Sequence, residues 1–189
     1  MAGETRERMI EATVAALQRR GVAGMSFTDI LSSSGAARGA IYHHFPGGKA
    51  QLVAEAAERN GCEVRDRLTA LPSDSPAKVV QAFLDLVRPV LAASAAGGGC
   101  AVAALTVGVG AEADDLALRQ VAASAFTSWG DGLAERLSVA GLAPGAARDL
   151  ATTLIALLQG AHVLCRAAGD LEPFEQVART AVALVPHPA

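Results

Sequence analysis

The stretch SFTDILSSSGAARGAIYHHFPGGK, residues 26–49, decides the fold. Ser26-Phe27-Thr28-Asp29 is a capping-box pattern: the Ser26 hydroxyl can accept the Asp29 amide while Asp29 reaches back, which starts a short helix through Ile30 and Leu31. Gly35 is placed to end it near Ser34, because the left-handed turn required there costs glycine least. Residues 37–43 make a second short helix, ended by Phe45-Pro46-Gly47-Gly48, and Lys49 opens a longer one to about Arg67. Two short helices joined by a glycine turn form a helix-turn-helix. Such a motif lets its second helix lie in a DNA major groove while the first braces across the backbone.

The side chains suit that task. Ala37, Gly39 and Ala40 are small and allow close approach to a duplex. Arg38 can fork onto guanine or phosphate. Tyr42, His43 and His44 can donate to phosphates or pack on sugars. Lys49 can pair a phosphate from a helix start whose free amides also favour an anion. Thr28, in the first turn of the bracing helix, offers a further contact. Core packing is the plainer reading of Phe45 and the favoured one; for Tyr42 the two readings balance. His43-His44 has no third ligand nearby, so no metal site is expected.

Working outward, residues 4–20 place Ile10, Val14 and Leu17 at helical spacing, with Gly21 and Gly24 closing the helix. Beyond Arg67 the turn cluster 71–76 leads to a helix over 77–94 that turns Val79, Val80, Phe83, Leu84, Val87, Val90 and Leu91 inward. Pro89 falls inside that pattern, where it removes a hydrogen bond and is expected to kink the helix. Residues 95–99 are a small-residue loop. The apolar segment 100–107 is taken as a helix because the chain has no strand for it to pair with. Long amphipathic helices follow over 114–140, 146–168 and 173–184, the last running until Pro186. The reading is all-α, about nine helices, with a helix-turn-helix DNA-binding domain over 1–48 and a ligand-binding and dimerisation domain over 49–189.

Composition narrows the function. Residues 1–49 carry six Lys/Arg against four Asp/Glu, residues 50–189 carry ten against fifteen, and the chain totals −3. An acidic body behind a mildly basic head orients the head toward a polyanion. It also argues against a nonspecific nucleoid-type binder, which depends on many phosphate contacts. The N-terminus lacks a signal-peptide layout. The charge-free segment that could best mimic a membrane span, 150–165, is shorter than one and contains Thr152, Thr153, Gln159 and His162, so it is expected to be buried in protein. Cys62, Cys100 and Cys165 are widely spaced, which suits a reducing cytoplasm rather than a disulfide framework or zinc site. Gly97-Gly98-Gly99 has no Lys-Ser/Thr after it and no strand before it, so it is no phosphate loop. The body lacks any Ser/His/Asp or paired-carboxylate spacing, and no enzyme activity and no cofactor are expected.

The run from Arg38 to Lys49, RGAIYHHFPGGK, resembles the recognition helix and helix-four entry of TetR-family transcriptional regulators. So do the single helix before it, its Ser-Phe-Thr-Asp-Ile lead-in and the all-helical body after it. Gly48 stands where many relatives carry Lys or Glu, and Ala36-Ala37 replaces the usual polar pair. The segment around Gly99-Cys100-Ala-Val-Ala-Ala is similar to the LmrA/YxaF-like branch, whose founders respond to drug-like or flavonoid compounds. The resemblance implies a cytoplasmic homodimer joined through the last two helices, with no membrane. It implies a pseudo-palindromic double-stranded DNA operator and a small hydrophobic or aromatic effector that releases a repressor. In such an architecture the core of the body is the pocket wall. The expected lining is Phe83, Leu86, Val87, Val90, Cys100, Leu105, Phe126, Trp129, Leu158, His162 and Cys165, with His162 placed to orient the molecule. The rival reading is a small-molecule-binding protein or enzyme that keeps the head only structurally.

Overall fold

The computed structural model describes residues 2–107 and 113–185. Among them are eight α-helices, one 3₁₀ turn and no strand. The chain divides into two compact units, Met1–Cys62 with Cys100–Ala125, and Glu63–Gly99 with Phe126–Ala189.

The first unit holds α1 (Ala2–Arg20), α2 (Phe27–Ser34), α3 (Ala40–His44) and the start of α4 (Gly48–Thr69). It also holds the 3₁₀ turn (Ala103–Thr106) and the first half of α6 (Ala113–Val139). Met9, Leu17, Ile30, Ile41, Phe45 and Leu52 are among its fully buried side chains, and α1 packs on α2. The Ser26 hydroxyl accepts the Asp29 amide at 3.2 Å, so the first half of the capping box forms. The Asp29 carboxylate takes Arg20 at 2.5 Å and ties α2 to the end of α1. Gly35 closes α2 at φ +66°, its N–H donating to the Leu31 carbonyl.

Two expectations change here. The third helix begins at Ala40 rather than Ala37; residues 37–39 form a turn closed by Ala40 N–H to Ala37 carbonyl at 2.9 Å. No residue from Ala36 to Gly39 offers a side-chain oxygen to cap an earlier start. The apolar segment 100–107 forms only the 3₁₀ turn, in which Cys100 Sγ accepts the Ala103 amide at 3.4 Å. The Leu105 N–H donates to the Val102 carbonyl at 3.1 Å, the i to i−3 bond that defines a 3₁₀ turn.

In the second unit, α5 (Pro76–Ala95), α7 (Pro144–Ala168) and α8 (Glu172–Ala183) pack on one another. Ser75 caps α5, accepting the Lys78 amide at 3.3 Å, with Pro76 in the first turn where its missing N–H costs nothing. The helix continues through Pro89 to Ala95. Val90 is 39% exposed, contrary to its expected inward position, because the packed neighbours cover a narrower arc of α5 at that end. Arg88 pairs with Glu175 and lies 5.4 Å from the Phe174 ring centroid, joining α5 to α8. Gly169 ends α7 at φ +74°.

α7 is 25 residues long and, by length and composition alone, could cross a bilayer. The segment 150–165 understated it. Its buried stripe, from Ala147 and Leu150 through Leu154, Leu158 and Cys165, is covered by protein. Pro186, expected to end the last helix, lies outside the described residues.

Candidate DNA interface and effector pocket

α3 is held from below and left open above. Ile41 and Phe45 are buried, whereas Thr28, Ala37, Arg38, Gly39, Tyr42 and His43 are exposed and Ala40, His44 and Lys49 are half-buried. Tyr42 is 67% exposed, so it stands on the surface, its ring edge-on to Phe27 at 6.2 Å. His43 and His44 meet edge to face at 4.9 Å. The Lys49 ammonium donates to the Val22 carbonyl at 3.0 Å, so it braces the turn after α1. Two of its three protons remain for an anion.

A relay that the sequence reading missed holds the far end of α3. Arg6 of α1 lies 5.2 Å from the Phe45 ring centroid and pairs with Glu55 of α4. The other Glu55 oxygen accepts from Gln51 Nε2 at 2.9 Å, and Gln51 Oε1 accepts the Gly47 amide at 2.7 Å. One chain of contacts therefore links α1, α4 and the turn that ends α3. The i,i+4 spacing of Gln51 and Glu55 was visible in the sequence; the partner 49 residues earlier was not.

Further along α4, Gly61 meets α6 so closely that an added Cβ would sit 3.1 Å from the Ala125 Cβ. In the second unit an added Cβ on Gly132 of α6 would lie 2.9 Å from the Thr69 methyl of α4. Glycine at these two positions permits the backbones to approach.

Three of the residues expected to line an effector pocket meet in a closed core. Phe83, Val87 and Leu158 pack with Phe174 in the α5–α7–α8 core around a void of about 10 Å³, too small for an effector. Trp129 and Cys165 are buried, Leu86 is half-buried, and Phe126 stands edge-on to Trp129 at 5.2 Å. Cys100 and Leu105 belong to the first unit. His162 is buried, and its Nδ1 lies 2.7 Å from the Ser94 hydroxyl, which also bonds the Val90 carbonyl at 3.2 Å. Burial lowers the His162 pKa to about 4, so the ring is neutral at pH 7. An open pocket of about 350 Å³ lies between α6 and α7, lined by Phe126, Thr127, Gly130, Asp131, Arg148, Thr152 and Ile155. Of the expected residues, only Phe126 lines it.

Residues 9–56, which contain this helix-turn-helix, match the bacterial regulatory proteins of the tetR family. Residues 76–180 match the C-terminal domain of LmrA/YxaF-like transcriptional regulators. The chain belongs to the TetR family. An uncharacterised HTH-type transcriptional regulator of Mycobacterium tuberculosis is 34% identical over 177 residues, spanning 92% of this chain and 90% of that protein. The HTH-type transcriptional regulator LmrA of Bacillus subtilis is 27% identical, spanning 90% and 91%. Among solved structures, a cysteine mutant of the TetR-family regulator CifR with 26-base-pair double-strand operator DNA superposes with a TM-score of 0.71. It is 21% identical and spans 94% of this chain and 95% of that one. This TetR-family chain is thus a transcriptional regulator with a helix-turn-helix DNA-binding head, and its body falls in the LmrA/YxaF-like branch.

Proposed function

We propose that the protein is a cytoplasmic, homodimeric repressor that leaves a pseudo-palindromic operator when a small effector binds its body. The carrying observation is the asymmetry of α3, with Ile41 and Phe45 buried beneath and Arg38, Tyr42 and His43 presented above. A helix so held can enter a major groove without repacking the head. Of the expected DNA contacts, Arg38 suits a base or phosphate, and Thr28, Tyr42, His43 and His44 suit the backbone. Ala37, Gly39 and Ala40 permit approach, and Lys49 adds a phosphate while bracing the turn.

Val163 and Leu164 on α7, with Val182 and Leu184 on or beside α8, are 41–68% exposed, an apolar surface suited to an isologous interface with a second copy. Two heads so joined gain affinity by binding both half-sites at once, and lose it when their spacing changes. α4 carries such a change, because it begins beside the head at Gly48 and reaches α6 at Thr69. We place the functional boundary between head and body at residues 48/49.

Gel shifts on upstream genomic DNA against random DNA test the reading. Specific complexes below micromolar protein at moderate salt are expected, and none at all would overturn it. Arg38→Ala is expected to relax sequence preference, with a loss of about 1–3 kcal/mol at one base position if the fork reads guanine. A uniform loss across sequences with a flatter salt dependence would assign Arg38 to phosphate instead. Gln51→Ala breaks the relay at its middle. About 1 kcal/mol of stability should disappear, with operator affinity down several-fold and no change in dimer mass by light scattering. Unchanged affinity would separate the relay from recognition.

A further inference from the structure

The groove between α6 and α7 brings an aromatic ring together with two opposite charges that do not pair. Asp131 of α6 and Arg148 of α7 both line it, and neither forms an ion pair or hydrogen bond with any described residue. Both side chains are exposed, so each is open to a ligand group entering the groove. Phe126 and Ile155 supply apolar wall, and Thr127 and Thr152 add hydroxyls. Two turns along α7 from Thr152, on the same side of the helix, Gln159 Nε2 is buried with no acceptor.

The volume of about 350 Å³ suits a one- or two-ring molecule with a short side chain. A purely apolar occupant would leave both charges to the solvent and gain nothing from them. A ligand with a carboxylate and a cationic or donor group compensates both, because a guanidinium forks onto a carboxylate and Asp131 accepts from an ammonium. We propose that this groove is an effector site for amphoteric aromatic molecules, with the ring on Phe126 and Ile155, the carboxylate on Arg148 and the ammonium on Asp131. The proposal rests on the reading of the chain as ligand-responsive and differs from the apolar pocket implied by the family resemblance. Asp131 is followed directly by Gly132, where α6 meets Thr69 of α4. A ligand that draws Asp131 toward α7 therefore acts one residue from the helix that leads to the head.

The full chain is titrated calorimetrically with four probes that share one ring and differ in charge: indole, indole-3-acetate, tryptamine and tryptophan. Tryptophan is expected to bind at least tenfold tighter than indole, with the singly charged probes between. Arg148→Ala should weaken tryptophan and indole-3-acetate tenfold or more and spare tryptamine. Asp131→Asn should weaken tryptophan and tryptamine tenfold or more and spare indole-3-acetate. Both variants should keep wild-type melting behaviour and ligand-free operator affinity. Equal affinity for all four probes, or variants without effect on them, would overturn the proposal. So would binding that appears only when the chain is diluted to monomer, since a second copy would then occupy the groove. Operator binding with no probe binding defeats this site and leaves the regulator standing; probe binding with no operator binding does the opposite.

Discussion

Phe45→Ala is expected to abolish operator binding and to destabilise the first unit by about 3–5 kcal/mol. Phe45 has no exposed surface and follows the last residue of α3. Its ring is capped by Arg6, which is held by Glu55, which holds Gln51 against the Gly47 amide. Removing the ring leaves a cavity and detaches the relay from the helix it positions. Whole domains are stable by only about 5–15 kcal/mol, so a loss of that size leaves the head loosely formed. Hydrogen exchange of the α2 and α3 amides should accelerate strongly while the amides of α5 and α7 keep their protection. Tyr42→Ala is the control: with 67% of Tyr42 exposed, it should change stability little while lowering operator affinity. A Phe45→Ala protein with full affinity and unchanged α3 protection would refute the anchoring role.

His162→Leu is expected to remove up to about 3 kcal/mol of acid sensitivity from the second unit. Burial lowers the folded-state pKa of His162 to about 4, from 6.5 in the unfolded chain. Between those values the unfolded chain takes up a proton that the folded one refuses. The stabilisation is therefore complete above about pH 6.5, falls as pH drops toward 4, and changes no further below that. The leucine side chain of the variant cannot titrate, and Ser94 can still donate to the Val90 carbonyl. Urea midpoints at pH 7 and pH 4.5 check this. Carboxylates contribute alike to both proteins, so the difference between the two curves isolates His162. Parallel curves would show that the ring is not held neutral.

Much of the head was legible in the sequence because its signals are local. Ser26 caps α2 across three residues, and Gly35 closes it with the left-handed turn that the sequence anticipated. The start of α3 was misplaced because small residues without a cap carry no boundary signal. Asp29 was assigned to its own helix, but Arg20 lies within reach only once α1 and α2 are packed. The body was less legible at its candidate site. Apolar spacing correctly marked Phe83 and Val87 as inward, yet the same spacing describes a closed core and a pocket wall. Their packing with Phe174 left a void of about 10 Å³. Asp131 and Arg148 stand 17 positions apart in number, carry no motif, and come to one groove only after the α6–α7 turn folds back.

The all-α class, the helix-turn-helix and the family were written in local signals, because periodicity, caps and glycine turns act over a few residues. Packing set which helix surfaces stay open, how Arg6 reaches Glu55, and where α6 and α7 leave a groove. Those features depend on distances between residues far apart in the chain, and only packing sets such distances.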